Sequence, residues 1–376
     1  MDFIDLKKQY QLLKPSIQKR INDILNRANF ILGSEISELE ENLAQYVGTN
    51  FCLSCSSGTD ALLLSLMAKN IGPGDAVFTT TFTFIATAEV ISLLGATPVF
   101  VDIDSKTYNI DPVKLRQEII KINNGDHITG NFKKPLSSKA IIPVDLFGLC
   151  ADYDAIRAVA KEFGLFVLED AAQSFGATYK GKKACSFGDV AATSFFPAKP
   201  LGCYGDGGAV FCNNKEMLDM LKSLRIHGQG GDKYENVRIG INGRMDTLQA
   251  AVLLAKMEIF DKELAMRQAV AHRYSQALAS SFTVPAIPAE HRSAWAQYSI
   301  QHQKRDEVMS KLKKAGIPSA IYYPKPLHLQ KAFAYLGYEK GQFPVAEDIA
   351  QKIFSIPMHP YLEEKDQAEI IRNLTA

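Results

Sequence analysis

The strongest constraint on the fold is an alternation of apolar strand patterns with amphipathic helix patterns between residues 37 and 224. Strands are predicted at 51–55, 76–80, 98–102, 140–144, 165–169, 190–195 and 208–212, and helices at 37–46, 61–69, 84–94, 112–120, 153–163 and 215–224. The strand segments are apolar and rich in β-branched residues, which is typical of strands buried on both faces. The alternation therefore predicts an α/β fold whose large, mainly parallel sheet is covered by helices on both sides.

The pattern changes after about residue 250, where one long charged helix is predicted over 247–280. An α+β pattern follows, with strands predicted at 298–301 and 320–323. A chain of 376 residues suits one large domain and a smaller one. We expect a large α/β domain over 1–259 and a small C-terminal α+β domain over 260–376, with the N-terminal segment able to pack on the small domain.

Charge and hydropathy favour a soluble protein that binds neither nucleic acid nor a membrane. The net charge of +1 gives no electrostatic reason for binding a polyanion, so an anionic ligand would need local positive partners. The most apolar long stretch, 82–101, is interrupted by Glu89, Gly95 and Pro98, which indicates a buried helix and strand rather than a membrane span. Acidic residues stand where a signal peptide would need a basic region, so we expect a cytoplasmic protein.

Cys52 and Cys55 form a C-x-x-C pair, which can mark a zinc or redox site. A structural zinc site would need a second pair, and the other four cysteines provide none at short spacing. The pair also falls in the predicted strand 51–55, where free cysteine behaves as a small core residue. We expect a buried strand here and no metal site.

Two polar segments stand where the ends of strands meet the starts of helices, the usual place for ligands in open α/β sheets. The first, SSGTD at 56–60, has small residues whose hydroxyls and backbone N–H groups suit a phosphate. The second, EDAAQ at 169–173, would place Asp170 buried at a strand tip, where a carboxylate needs a partner such as a protonated pyridine nitrogen. Taken singly, the first segment is equally compatible with a helix cap, and for the second an Asp that caps the next loop or helix would be the favoured interpretation.

A third segment, FFPAKPLGCYGDGG at 195–208, sets Lys199 among aromatic and small residues. A desolvated lysine has a lowered pKa and becomes a nucleophile toward aldehydes. The glycines do not follow the order of a dinucleotide-binding or P-loop motif. Together the three segments provide a phosphate cup, a pyridinium partner and a Schiff-base lysine, which is the set that pyridoxal 5′-phosphate (PLP) requires.

The chain also resembles the DegT/DnrJ/EryC1/StrS sugar aminotransferases, within the fold type I (aspartate aminotransferase-like) PLP enzymes. The resemblance extends from FIDL at 3–6 and FILG at 30–33 through the three segments above to PMHP at 357–360. It implies that Lys199 carries the cofactor and that Asp170 faces the pyridine nitrogen. The matching cofactor-binding positions are Gly58, Thr59 and Ser194 for the phosphate, Phe84 for stacking on the ring, Gln173 for the phenolic oxygen, and Asn242, which reaches the phosphate from a second subunit.

The resemblance is nearest to the branch that aminates C3 of UDP-2-acetamido-2-deoxy-3-oxo-glucuronate. It implies an amino-acid donor, glutamate, a homodimer with shared active sites, and a role in surface polysaccharide (lipopolysaccharide or O-antigen) biosynthesis. One departure is Tyr322-Tyr323-Pro324, where this branch carries His-Tyr-Pro, at a position expected near the sugar. Further candidates for substrate binding are Arg238, Arg244, Tyr322, Tyr323 and His328, although each is equally compatible with a structural role.

Two alternative functions stay open at this point. One is a PLP enzyme that catalyses a different reaction, such as amination at C4 of a 6-deoxy nucleotide sugar or dehydration. The other is a non-catalytic protein that binds sugar nucleotides. Lys199 argues against dehydration, because relatives that dehydrate carry histidine there, and the set of Lys199, Asp170 and Gln173 argues against a mere binder.

Overall fold

The computed structural model describes residues 1–126, 135–232 and 234–375. Its helices are α1 (Leu6–Arg27), α2 (Ser34–Val47), α3 (Gly58–Ala68), α4 (Ala86–Leu93), α5 (Pro112–Asn123), α6 (Tyr153–Phe163), α7 (Lys215–Arg225), α8 (Thr247–Met257), α9 (Phe260–Leu278), α10 (Arg305–Lys314), α11 (Pro344–Lys352) and α12 (Glu364–Thr375). Its strands are β1 (Phe51–Cys55), β2 (Asp75–Thr80), β3 (Thr97–Val101), β4 (Ser137–Ile142), β5 (Phe166–Asp170), β6 (Thr178–Tyr179), β7 (Lys182–Lys183), β8 (Val190–Ser194), β9 (Gly208–Cys212), β10 (His291–Arg292), β11 (Tyr298–Gln301) and β12 (Ile353–Ile356).

A seven-stranded sheet forms the centre of the molecule, in the order β1-β9-β8-β5-β4-β2-β3. Neighbouring strands from β8 to β3 are parallel, whereas β9 is antiparallel to both β1 and β8. Since β9 alone is reversed, β1, β5 and β8 present their carboxyl ends at the same edge. This is the mainly parallel α/β sheet that the sequence predicts.

Six strands of this sheet, all but β3, supply residues to the same two hydrophobic cores. In β2, Ala76 and Phe78 join one core, whereas Val77 joins the other. The first core includes residues of α2, α5, α6 and α8, and the second includes residues of α3, α4 and α7. Burial on both faces explains why the strand sequences are continuously apolar rather than alternating.

The C-terminal part has its own small sheet, in which β11 and β12 pair antiparallel. A separate core of α9, α10, α12 and these strands includes Tyr274, Tyr298 and Ile370. At the N-terminus, α1 packs on α8, and its Gln9 side chain donates to Glu263 of α9 at 2.9 Å. The division at residue 260 stays a prediction.

Two sequence predictions for this region were wrong. The helix predicted over 247–280 is two helices, because Ile259 leaves the helical backbone conformation (φ −119°, ψ 2°) and α9 begins after it. The strand predicted at 320–323 reduces to a single bridge between Ala320 and Ser355. The chain then turns away from the small sheet, and Tyr322 and Tyr323 line a cleft instead of pairing.

The predicted strand around Cys52 and Cys55 is confirmed, and both thiols are free and buried. No helix in the described part of the chain combines the length and the apolar character needed to cross a membrane.

Candidate active site

A cleft of about 460 Å³ opens at the carboxyl edge of the large sheet. It lies where β5 ends at Asp170, where β8 ends at Ser194 and where α3 begins at Gly58. Nine of the residues predicted from sequence line it, namely Gly58, Thr59, Phe84, Asp170, Gln173, Ser194, Lys199, Tyr322 and Tyr323. The fold therefore brings the three sequence segments together.

Asp170 is a buried carboxylate held by two donors. The Thr87 hydroxyl donates to Oδ2 at 2.7 Å, and the backbone N–H of Ala172 donates to Oδ1 at 3.2 Å. Burial raises the pKa of Asp170, because water no longer solvates the charge, and the Thr87 and Ala172 donors and the nearby Lys199 oppose that rise. A second cation in the cleft, in addition to Lys199, would further favour the ionised form of Asp170.

Lys199, whose side chain is partly buried, supplies an amine to the same cleft. Burial lowers the pKa of Lys199 to about 8, and the charge of Asp170 opposes this fall. At pH 7 about one tenth of such an amine is unprotonated, far more than for an exposed lysine, and only that form attacks a carbonyl carbon. This environment matches the one that the sequence predicts.

The start of α3 forms the other end of the cleft. Ser57 caps the helix by accepting from the backbone N–H of Asp60 at 3.0 Å, which leaves the first N–H groups of the helix free to bind an anion. A Cβ at Gly58 would lie 2.6 Å from the Cβ of Ser194, so no side chain fits there. The close approach of β8 to this turn thus requires glycine at position 58.

The Gln173 side chain bridges two segments at the cleft, one that contains Phe147 and one that contains Tyr323. Its Oε1 accepts from the backbone N–H of Phe147 at 2.7 Å, and its Nε2 donates to the Tyr323 hydroxyl at 3.2 Å. Burial raises the pKa of Tyr323, so its hydroxyl stays protonated. The rings of Phe84 and Tyr323 lie 6.3 Å apart, and Phe84 itself is 55% exposed on the cleft.

The lining residues that were not identified from the sequence include Thr87 and Gln297, and Ser57 and Asp206 were covered only as members of the segments 56–60 and 195–208. Thr87 holds Asp170 directly and contacts Thr83 at 3.2 Å. The spacing of two threonines one helical turn apart was a signal that could have indicated it. No local pattern marks Gln297, which comes from the C-terminal part of the chain.

The structure does not bring the remaining candidates to the cleft of their own chain. Arg238 and Arg244 line a separate surface depression, and Asn242 is exposed between them in sequence. His328 is buried, with its two ring nitrogens 2.7 Å from the Thr81 hydroxyl and 3.2 Å from Glu347. Burial lowers the pKa of His328, against the effect of Glu347, and both ring nitrogens are already engaged.

Known proteins are similar in sequence to this chain over almost its full length. The chain is 48% identical over 364 residues to the UDP-2-acetamido-2-deoxy-3-oxo-D-glucuronate aminotransferase of Pseudomonas aeruginosa, covering 96% of each chain. It is 40% identical over 368 residues to the UDP-N-acetyl-3-dehydro-alpha-D-glucosamine 3-aminotransferase of Acidithiobacillus ferrooxidans, covering 98% and 95%.

Solved structures share the fold. A DegT DnrJ EryC1 StrS aminotransferase from Brucella abortus matches with a TM-score of 0.94 and 48% identity, over 100% of this chain and 98% of that one. The ntda protein of Bacillus subtilis, with bound cofactor PMP, matches with a TM-score of 0.87 and 27% identity, over 99% and 82%. The family model for DegT/DnrJ/EryC1/StrS aminotransferases matches residues 11–375, and the chain therefore belongs to the DegT/DnrJ/EryC1/StrS aminotransferase family.

Proposed function

We propose that the chain is a PLP-dependent aminotransferase that moves an amino group from glutamate to C3 of UDP-2-acetamido-2-deoxy-3-oxo-glucuronate. The observation that carries the proposal is one cleft in which a partly buried amine, Lys199, and a buried carboxylate, Asp170, lie beside a free helix N-terminus. The relative named for this reaction and the relative solved with PMP support it. The cytoplasmic location and the place in lipopolysaccharide or O-antigen assembly stay predictions from the sequence.

The residues of the cleft fit PLP at both of its ends. The N–H groups of Gly58 and Thr59 at the start of α3, with the Ser194 hydroxyl, would hold the phosphate. Asp170 would meet the pyridine nitrogen, and the exposed face of Phe84 would lie against the ring. When bound, PLP supplies an electron sink for the carbanion formed at the substrate carbon.

The chain's own groups then perform the proton chemistry. Lys199 would hold the cofactor through its side-chain amine, and the same amine, once free, would hold and move the proton at the substrate carbon. Asp170 would offer the pyridine nitrogen a buried carboxylate and so favour its protonated form. The Gln173 amide, fixed by Phe147 and Tyr323, lies ready for the phenolic oxygen.

The lack of space at Gly58 gives a prediction for cofactor binding. Gly58→Ala would push β8 away from α3, because the new Cβ would lie 2.6 Å from Ser194. We expect the cofactor Kd to rise by about tenfold or more, because the phosphate cup would open. Titration of cofactor-free protein with PLP, followed by absorbance, measures this.

Gly72→Ala is the matched control, because a Cβ there has only Leu94 O at 3.9 Å. It should leave the cofactor Kd unchanged. Wild-type affinity in Gly58→Ala would contradict the assignment of this turn to the phosphate.

The choice of sugar rests on the sugars named for the two relatives and on the positive charge of two arginine side chains. The two relatives above act on sugars that differ at C6, where the glucuronate carries a carboxylate. Arg238 and Arg244 flank Asn242 in sequence and are available to bind that carboxylate or the diphosphate. Tyr322 and Tyr323 line the cleft on the side of the small domain and would contact the sugar. His328 is not part of this proposal, since the structure buries it elsewhere.

Turnover with three keto sugars tests the proposal. The loaded enzyme and glutamate would be given the UDP-3-oxo-glucuronate, the matching UDP-3-oxo-glucosamine and a 4-keto-6-deoxy nucleotide sugar. We expect kcat/KM for the glucuronate to exceed the other two by about tenfold or more. Preference for the 4-keto sugar would favour the alternative amination at C4. No visible cofactor absorbance and no turnover would favour the sugar-nucleotide binder.

We also propose that two copies of the chain share their active sites. Asn242 is exposed and is not among the residues lining its own cleft, although the resemblance assigns it to a cofactor phosphate. In the described structure the depression lined by Arg238 and Arg244 also exposes apolar side chains, including Leu32 and Ile239, at 42% and 87%. A two-fold dimer would cover these side chains and bring Asn242 to the partner's cleft.

Mixed dimers test the shared site. Asn242→Asp should weaken cofactor binding by setting a negative charge beside the phosphate, and Lys199→Ala should remove the catalytic amine. In a dimer with one subunit of each kind, one site carries both defects and the other carries neither. With random exchange about half the dimers are mixed, so activity should recover to about one quarter of wild type.

The readout is turnover before and after subunit exchange, with exchange itself shown by mass spectrometry of the intact dimers. Absence of recovery despite exchange would mean that both residues serve the same chain's site. Mixing Lys199→Ala with Asp170→Asn is the matched control. Both residues line one cleft, so this mixture should recover no activity.

A further inference from the structure

Lys256 is a buried cation of α8 that lies behind the loop carrying Lys199. It is 1% exposed, and among the described residues no carboxylate lies within ion-pair distance of its ammonium. Burial lowers the pKa of Lys256 to about 8, and Glu263, which favours the charged form, is occupied elsewhere, as it accepts from Gln9 and from Tyr361. Burying an ammonium without a carboxylate partner is costly, so its other contacts must hold it.

Both contacts of the ammonium are in the segment that follows Lys199. The ammonium donates to the backbone carbonyl of Gly202 at 2.5 Å and lies 4.3 Å from the centre of the Tyr204 ring. Such a position over an aromatic ring attracts a cation. One more side chain of α8, Gln249, accepts from the backbone N–H of Tyr204 at 2.8 Å.

The segment 199–207, named here the lysine loop, is also held by backbone hydrogen bonds at its middle and at its last residue. The backbone N–H of Cys203 donates to Phe195 O at 2.8 Å, and that of Phe195 donates to Gly207 O at 2.7 Å. The loop begins with Lys199 and ends with Asp206 and Gly207, all of which line the cleft. A shift of Gly202 would therefore move lining residues on both sides of it.

We propose that Lys256 is a positioning residue, which through Gly202 and Tyr204 fixes the lysine loop so that the Lys199 amine keeps its place in the cleft. This inference rests on the proposed role of Lys199. Lys256 does not line the cleft and touches neither cofactor nor substrate in the proposal. Its loss should therefore lower kcat and leave KM for the sugar unchanged.

The test compares Lys256→Met with Lys256→Arg and with Lys262→Met in the cofactor-loaded enzyme. Methionine keeps much of the chain length and removes the charge and the donor, whereas arginine keeps both. Lys262 is an exposed lysine of α9 and serves as the control. Hydrogen exchange of the Cys203 and Tyr204 amides reports on the loop, because both are bonded in the structure.

We expect these two amides to exchange about tenfold faster in Lys256→Met, with amides of β5 as protected as in wild type. The kcat value should fall about tenfold at unchanged KM, and Lys256→Arg should recover part of both losses. Lys262→Met should match wild type in every measurement. If Lys256→Met fails to fold, Tyr204→Leu removes the ring contact at a residue that is 37% exposed, and the same changes are expected there in smaller size.

Three outcomes would overturn the proposal. One is unchanged exchange of the loop amides, and another is equal acceleration in β5, which would make Lys256 a general stability residue. The third is faster hydrogen exchange of the loop amides together with an unchanged kcat. Failure of the proposed function is distinguishable, because wild type would then transfer no amino group to any of the three sugars while the exchange data still report on the loop.

Discussion

Lys199→Ala should lower turnover by several orders of magnitude while the protein still binds the cofactor. Alanine has no amine, so the group that moves the proton between the substrate carbon and the cofactor is lost. The phosphate cup at Gly58 and Thr59 and the carboxylate of Asp170 remain, because neither depends on the lysine side chain for its position. Single-turnover kinetics with glutamate, followed by cofactor absorbance, measures the loss.

Borohydride reduction separates binding from covalent attachment in the same variant. In wild type, reduction should fix the cofactor to Lys199, as a mass increase on the peptide that contains this residue. In Lys199→Ala no peptide should gain that mass, although absorbance still shows bound cofactor. Lys161→Ala, at an exposed position in α6, is the control and should behave as wild type. Near-normal turnover in Lys199→Ala would refute the mechanism.

The parts of the fold that the sequence predicted are those in which local pattern and tertiary environment agree. Apolar β-branched segments such as 208–212 form strands because the sheet buries both of their faces, and α6 begins and ends where its pattern does. Gly58 and Asp170 could be predicted as lining residues because they stand at a helix start and a strand end, and Lys199 because its aromatic and small neighbours are distinctive.

The sequence predictions failed where contacts between segments distant in sequence determine the local structure. Nothing local to residues 320–323 shows that Tyr323 would leave the small sheet to meet Gln173, a partner far away in sequence. The same holds for His328, which lies between Thr81 and Glu347, and for Gln297 at the cleft. The break at Ile259 separates two helices that are each well formed, so periodicity alone does not locate it.

Asp170→Asn should lower the rate of proton abstraction from glutamate by about a thousandfold, far more than it lowers cofactor occupancy. Asparagine keeps the shape of the carboxylate and removes its charge. The backbone N–H of Ala172 can only donate, so the amide oxygen should take the place of Oδ1. The amide nitrogen then faces Thr87, whose hydroxyl can turn to accept, and the fold should survive.

The chemical consequence follows from the missing charge. Burial disfavours the ionised form of Asp170, and a cationic partner would offset this cost in addition to the Thr87 and Ala172 donors. Without the carboxylate, the pyridine nitrogen loses its proton and the ring becomes a poorer acceptor for the electrons of the carbanion. Exchange of the glutamate α-hydrogen with solvent deuterium, followed by NMR in the absence of the sugar, measures this step alone.

Thermal unfolding of the same samples distinguishes this role from a structural one. Asp23→Asn, at an exposed position in α1, is the matched control and should change neither exchange nor stability. We expect Asp170→Asn to unfold close to the wild-type temperature and to retain the cofactor, yet to exchange the hydrogen slowly. If instead the variant unfolds readily and its folded fraction exchanges at the wild-type rate, Asp170 supports the strand tip and the electron sink works without it.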